Sequence, residues 1–131
     1  KHKDMLRKVI AKFHKNNIDV SIFIDPDSKQ IETARDIGAD IIEIHTGRYA
    51  NAASLQEEDA EKQEILNAAL FAKGIGLNVS AGHGLNYRNV KEIAAMKEIE
   101  ELNIGHSIIS RAVLVGIERA VKEMKQLIDN A

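Results

Sequence analysis

Three stretches of this chain set a histidine beside or near a glycine: Ile42-Glu43-Ile44-His45-Thr46-Gly47, Ala81-Gly82-His83-Gly84-Leu85 and Leu102-Asn103-Ile104-Gly105-His106. Glycine lets the backbone approach a ligand closely. Histidine can gain or lose a proton near neutral pH. Each stretch ends an apolar or β-branched run that reads as a buried strand. Three strand ends of this kind are expected to converge on one active site.

Glu43 and His45 are two apart and share one face of their strand. On an inward face Glu43 is a carboxylate removed from bulk water, to be paired or protonated. It could steady a cationic or hydroxyl-bearing intermediate, or move a proton, or simply bond to a polar group on a neighbouring strand. His83 lies between two glycines, with nothing local to pack against its ring. Strict alternation puts it on the helix side with Ala81, and a break at Gly82 would swing it over the mouth. There it could act as general acid or base, a role worth ~10²–10⁴ in rate. The plain alternative is a loop histidine without a role.

Gly105-His106-Ser107 opens the last helix. A helix N-terminus offers free N–H groups and a positive dipole end, which together hold phosphate. A phosphate ester is the natural ligand, with Arg111 a possible helper. The alternative is an ordinary helix cap by Ser107. Glu43, His45, His83 and His106 are also metal-ligand types, but no H-x-H or H-E-x-x-H spacing joins them, and neither a metal nor a cofactor is called for. His2 and His14 fall on a charged helix and read as solvated.

The elements that must position these groups alternate. Met5–Phe13 is a helix ended by Asn16-Asn17, and Val20–Ile24 is a strand closed by Asp25-Pro26-Asp27. Asp27 or Ser28 caps a helix that Gly38 ends. Ala39–Ile44 is the second strand. A polar loop, 51–59, leads into a helix over about Glu61–Lys73, with Glu57-Glu58-Asp59 favoured by its dipole. Leu77–Ala81 is the third strand, Asn89–Met96 a short helix and Ile99–Ile104 the fourth strand. One last helix is expected from Ser107 towards Ile128, burying Val113, Ile117, Ala120, Val121, Met124 and Leu127.

Alternation of this kind gives a parallel sheet with right-handed crossovers, either an open doubly wound sheet or part of a (β/α)8 barrel. His83 lies 40 positions after Glu43 and His106 lies 23 after His83. Their mean is close to one barrel unit, roughly 31 residues. Parity adds to this. Ser21, Glu43, His45, Asn78, Ser80, Glu101 and Asn103 fall on one face, while Val20, Ile22, Ile24, Ile42, Ile44, Val79, Ala81, Leu102 and Ile104 fall on the other. One apolar and one polar face suits a barrel with helices outside and a polar interior near its mouth. A sheet face open to solvent is the alternative.

Composition narrows the classes. At 131 residues the chain suits one domain, and a net charge of −2 gives no basic footprint for nucleic acid or a membrane surface. Aromatic residues, at 4%, are too few for a base-stacking platform. Without cysteine there is neither a disulfide framework nor a thiolate metal site. No apolar run could span a bilayer and no secretory pattern opens the sequence, so a cytoplasmic protein is expected.

On these motifs, and on Ser21-Ile22-Phe23-Ile24-Asp25-Pro26-Asp27 and Ser107-Ile108-Ile109-Ser110-Arg111-Ala112-Val113 beside them, the chain resembles the pyridoxine 5'-phosphate synthases of the deoxyxylulose-dependent vitamin B6 pathway. The likeness runs from Val20 to about Leu127 and corresponds to the family's second half. It implies a (β/α)8 TIM barrel, of which residues 1–131 are the C-terminal four βα units of a single domain. It also implies a transferase condensing 1-deoxy-D-xylulose 5-phosphate with 3-amino-2-oxopropyl phosphate to pyridoxine 5'-phosphate, phosphate and water. By the same resemblance His83 matches the catalytic proton donor and Glu43 the glutamate that stabilises a transition state. Gly84, Gly105 and His106 match substrate-binding positions, the last two at a phosphate. Phosphorylated small molecules and further copies of the chain are the partners implied. Ser80 stands where asparagine is common. The first four strands, with another proton-transferring histidine and glutamate, are absent here. The chain is therefore expected to be a fragment or one half of a split enzyme, inactive alone. A non-catalytic phosphate-binding half-barrel, or another phosphate-binding barrel lyase or aldolase, are the other readings.

Overall fold

The computed structural model describes residues 2–131. Helix α1 (Lys3–His14) precedes strand β1 (Ser21–Ile24), then α2 (Ser28–Asp36), β2 (Ile41–His45), α3 (Gly47–Ala50) and α4 (Leu55–Gly74). Strand β3 (Asn78–Gly82), α5 (Val90–Ala94), β4 (Glu101–Asn103), α6 (His106–Val115) and α7 (Ile117–Asp129) complete the order. The four strands form one parallel sheet in the order β1-β2-β3-β4. Each crossover thus moves one step in the same direction, without the reversal that marks a doubly wound sheet.

Register carries the parity of the sequence across the sheet. Phe23, Glu43, Ser80 and Glu101 form one row, and Ile24, Ile44, Ala81 and Leu102 the next. The apolar face is covered by α2 and α4, with Ile31, Ala34, Ile65, Ala68, Ala69 and Ala72 packed onto Ile42, Ile44, Val79 and Ala81. Ile42 and Ile44 are wholly buried, and burial of each is worth ~1.5–3 kcal/mol. No helix among the described residues covers the polar face, and β1 and β4 each pair on one side only. No helix among them is long and apolar enough to cross a membrane.

Local signals set most boundaries. Asp27 Oδ1 accepts the Gln30 N–H at the start of α2. Asn17, at φ 56, turns the chain after α1. Helix α4 starts six residues before the expected Glu61, because Ser54 caps it by accepting the Glu57 N–H at 3.2 Å. Glu57 and Glu58 then occupy the first turn, where the dipole favours them.

The expected single final helix is two. Gly116, at φ 83 and ψ 153, breaks it between α6 and α7. Of the expected buried stripe only Ala120 and Met124 are buried, while Val113, Ile117 and Val121 are exposed. The two helices are joined by Glu123, whose carboxylate accepts from Arg111 Nε (2.8 Å) and Nη2 (3.3 Å) and from Arg119 Nε (2.8 Å). The two guanidinium groups pull the Glu123 carboxyl down to about 2. His14 is also not simply solvated. Its Nε2 lies 2.7 Å from Asp40 Oδ2, which also accepts the Val20 N–H at 2.8 Å. Burial alone would raise the Asp40 carboxyl, but the Val20 N–H and the His14 imidazole outweigh it and hold it below its ordinary value.

Candidate active site

The C-terminal ends of the strands form one rim. A cleft of about 480 Å³ there is lined by Phe23, Glu43, His83, Gly84, Leu85, Asn103, Ile104, Gly105 and His106. Glu43, His83, Gly84, Gly105 and His106, given catalytic or substrate-binding roles from the sequence, therefore border one space, while His45 and Arg111 do not line it. A second cleft, of about 380 Å³, continues down the polar face past Ser21, Asn78, Ser80 and Glu101. Glu43 borders both.

Glu43 projects from the middle of β2 and is half-buried. Its neighbour in register, Ser80, gives its hydroxyl to the Ile42 carbonyl at 3.2 Å. Among the described residues no hydrogen bond ties down the Glu43 carboxylate, so the expected alternative of a cross-strand polar partner is not what holds it. Space for it comes from Gly82 on β3. A Cβ on Gly82 would run into Glu43 Oε1 and come within 2.9 Å of the Asn103 carbonyl. Gly82 is thus required for the close approach of a carboxylate, a role that its place beside a histidine in the sequence only half reveals.

His83 does leave the alternation of β3, but the break lies at its own backbone, at φ 77, followed by Gly84 at φ 80. That left-handed conformation costs a non-glycine residue ~1–2 kcal/mol. Thr46 holds it. Continuing the parity of Ile42 and Ile44, Thr46 points into the core and is wholly buried. Its N–H donates to the Gly82 carbonyl at 2.8 Å, and its hydroxyl lies 2.7 Å from Gly82 O and 2.6 Å from His83 O. The ends of β2 and β3 are clamped together at the residue whose ring enters the cleft.

The His83 ring is not without packing, as the local sequence suggested. His45 stands edge-on to it, with ring centroids 4.8 Å apart, and Phe23 stands edge-on to His45 at 5.1 Å. His45 Nδ1 lies 3.2 Å from Asp25 Oδ1, just past the end of β1. Phe23 and Asp25 were missed. Parity places Phe23 on the polar face with Ser21, a signal that was present in the sequence; the Asp25–His45 pairing bridges 20 residues and has no local signature.

Gly105 is the N-cap of α6 and makes no side-chain cap. Open space lies where a Cβ would stand. No side chain among the described residues caps the first N–H groups of α6, and Gly105 and His106 both border the cleft. Ser107, the expected cap, instead donates its hydroxyl to the Leu85 carbonyl at 2.9 Å, tying α6 to the loop that carries His83. Arg111 is engaged by Glu123 and is not directed to an anion at Gly105.

Comparison with known proteins bears on this site. Residues 1–130 match the family model described as "Pyridoxal phosphate biosynthesis protein PdxJ". A pyridoxine 5'-phosphate synthase of Geobacter sp. (strain M21) is 54% identical over 127 residues, covering 97% of this chain and 53% of the relative. One from Coxiella burnetii (strain Dugway 5J108-111) is 56% identical over 126 residues, covering 96% and 52%. One from Legionella pneumophila (strain Corby) is 48% identical over 130 residues, covering 99% and 52%. The chain spans about half the length of the curated relatives it matches. With the family model matched along almost its whole length, the chain belongs to the PdxJ family of pyridoxal phosphate biosynthesis proteins.

Proposed function

We propose that these residues are the C-terminal half of a (β/α)8 barrel enzyme that makes pyridoxine 5'-phosphate from 1-deoxy-D-xylulose 5-phosphate and 3-amino-2-oxopropyl phosphate, releasing phosphate and water. The observation that carries the reading is the single cleft shared by Glu43, His83, Gly105 and His106. The names of the relatives and the one-directional order of the strands support it. The residues would form half of one barrel domain. The uncovered polar sheet face would then be its interior, and the free edges of β1 and β4 would meet the other four strands. Exposed Met5, Val9 and Phe13 on α1, and Ile109 and Val113 on α6, are the surfaces that other half or further subunits would cover.

In this reading the α6 N-terminus holds a substrate phosphate through its unpaired N–H groups. Condensation of the amine with a ketone expels water, and a proton must reach the departing oxygen. His83 supplies a proton at that point as general acid, its backbone held at the rim of the cleft by the Thr46 clamp. The Glu43 carboxylate, free of hydrogen-bonding partners among the described residues, stabilises the positive charge that grows at nitrogen during imine formation. Gly84 continues the left-handed turn after His83 and keeps its own backbone against the cleft.

The test uses the enzyme with both halves present. Substrate consumption and pyridoxine 5'-phosphate formation are followed for the parent and for His83→Ala. His83→Ala is expected to lower turnover by ~10²-fold or more while phosphate-ester binding changes little. Unchanged turnover removes His83 from the mechanism. Absence of the product from an enzyme that binds both phosphate esters rejects the reaction assigned here. Residues 1–131 alone are expected to be inactive.

A further inference from the structure

We propose that Asp25 and His45 are positioning residues for His83, forming a brace across three strand ends that fixes where the His83 imidazole stands. The proposal rests on the reading of His83 as the proton donor. Three observations carry it.

The first is the chain of contacts. Asp25 Oδ1 accepts from His45 Nδ1 at 3.2 Å, which selects the tautomer with hydrogen on Nδ1. Phe23 meets His45 edge-on, at 5.1 Å and 69° between the rings. His45 in turn meets His83 edge-on, at 4.8 Å and 62°. Phe23 belongs to β1 and Asp25 follows its last residue, His45 ends β2 and His83 follows β3, so the brace links the ends of three strands that the sheet already holds in register.

The second is the room made for it. A Cβ on Gly47 would stand 2.6 Å from His45 Nε2 and 3.1 Å from His83 Cδ2. Glycine at that position lets both rings lie against the start of α3. The third is the need. Thr46 fixes the His83 backbone but leaves its side-chain torsions free. An imidazole at a rim can swing between the main cleft and the smaller one lined by His45, Gly47, Arg48 and Asn51, which His83 also borders. His45 stands on that second side, its ring against that of His83.

His45 does not line the main cleft with Glu43 and Gly105, so its role is through His83. Asp25 is mostly exposed, its side chain at 61%, and as a surface pair its contribution to folding stability is small. A merely structural role therefore predicts almost no effect of its removal. A positioning role predicts a loss of turnover, because a misplacement of about 1 Å in a catalytic group can cost ~10²-fold.

The experiment is steady-state kinetics on the complete enzyme with Asp25→Asn, His45→Gln and the double variant, beside His83→Ala. Asp25→Asn offers His45 Nδ1 an amide and so disturbs the tautomer while keeping the shape. Each single variant is expected to lower kcat by ~10-fold or more with KM for both phosphate esters within about threefold. The double variant is expected to be no slower than the worse single, since both remove one brace. Unfolding temperatures are measured on every variant. Should one single variant be destabilised, the other decides, and Asp25→Glu, which restores a carboxylate, is expected to recover turnover. Turnover within about twofold of the parent in the stable variants, a rise in KM alone, or fully multiplicative losses overturns the proposal. Overturning it while His83→Ala remains inactive leaves the assigned reaction standing. Full activity of His83→Ala instead removes the proton-donor role on which the proposal rests.

Discussion

Thr46→Val is the most informative change to the rim. It keeps the shape and burial of the side chain and removes one hydroxyl, which lies 2.6 Å from the His83 carbonyl and 2.7 Å from the Gly82 carbonyl. The Gly82 carbonyl keeps the Thr46 N–H. The His83 carbonyl loses this donor. The contact to the His83 carbonyl is only partly buried, so water can replace the lost donor and the change costs ~0.5–1.5 kcal/mol. The strain at His83 is of similar size, ~1–2 kcal/mol, so the clamp and the strain nearly balance. Without the clamp, conformers with a relaxed His83 backbone become competitive. A shift of ~1 kcal/mol is close to a factor of 5 in population, and turnover should fall by about fivefold. The same ~1 kcal/mol lowers the unfolding temperature of a chain about twice this length by ~2–4 °C. Thr46→Ser is the control, since it keeps the hydroxyl and loses a methyl group. Turnover and unfolding temperature are compared in the complete enzyme. Equal turnover of the valine and serine variants would refute the clamp, whatever their stabilities.

Gly82→Ala is expected to displace the Glu43 carboxylate and strain the β3–β4 pairing against the Asn103 carbonyl, costing ~1–3 kcal/mol and at least ~10-fold in turnover; thermal unfolding and kinetics measure both. Gly105→Ala meets nothing within 4 Å, so its unfolding temperature should match the parent while KM for a phosphate ester rises, because the new methyl group enters the space proposed for the anion; calorimetric titration with inorganic phosphate reads the change. Glu123 links α6 to α7 with its carboxyl at about 2, below the ordinary 4.5. A depressed carboxyl contributes stability that is complete above the ordinary value and is lost as pH falls through the folded one. Glu123→Gln should therefore be less stable than the parent near neutrality and converge with it between pH about 4.5 and about 2, as followed by unfolding at stepped pH.

The sheet was legible because its signal is local. Alternation along β2, with Ile42 and Ile44 against Glu43 and His45, needs no knowledge of other strands, and register only extends it. The rim was legible for the same reason: glycine beside histidine after an apolar run marks a strand end. The break in the final helix is not legible in the sequence because the apolar spacing runs straight through Gly116, and spacing alone does not register a residue at φ 83. Nor does it tell a buried stripe from an uncovered one; Val113 and Ile117 have the right periodicity and no neighbour among the described residues to bury them. The start of α4 is written in the pattern Ser54-x-x-Glu57, a cap that apolar spacing does not register. The His14–Asp40, Asp25–His45 and Thr46–His83 contacts join residues 20 to 37 positions apart, and only the packed sheet brings them together.

Parallel strands lie ~4.8 Å apart, and that distance acts as a ruler across the rim. Glu43 stems from β2, but its carboxylate reaches across to Gly82 on β3, beside the imidazole that follows that strand, and the open helix end comes after β4. Measured across the sheet, an anion seated at α6 would thus lie about one strand width, ~5 Å, from both groups. That width corresponds to roughly four bonds of an extended carbon chain. The sheet itself would then select how far from its phosphate a substrate can be protonated, and loop mutations could alter affinity without changing which carbon reacts.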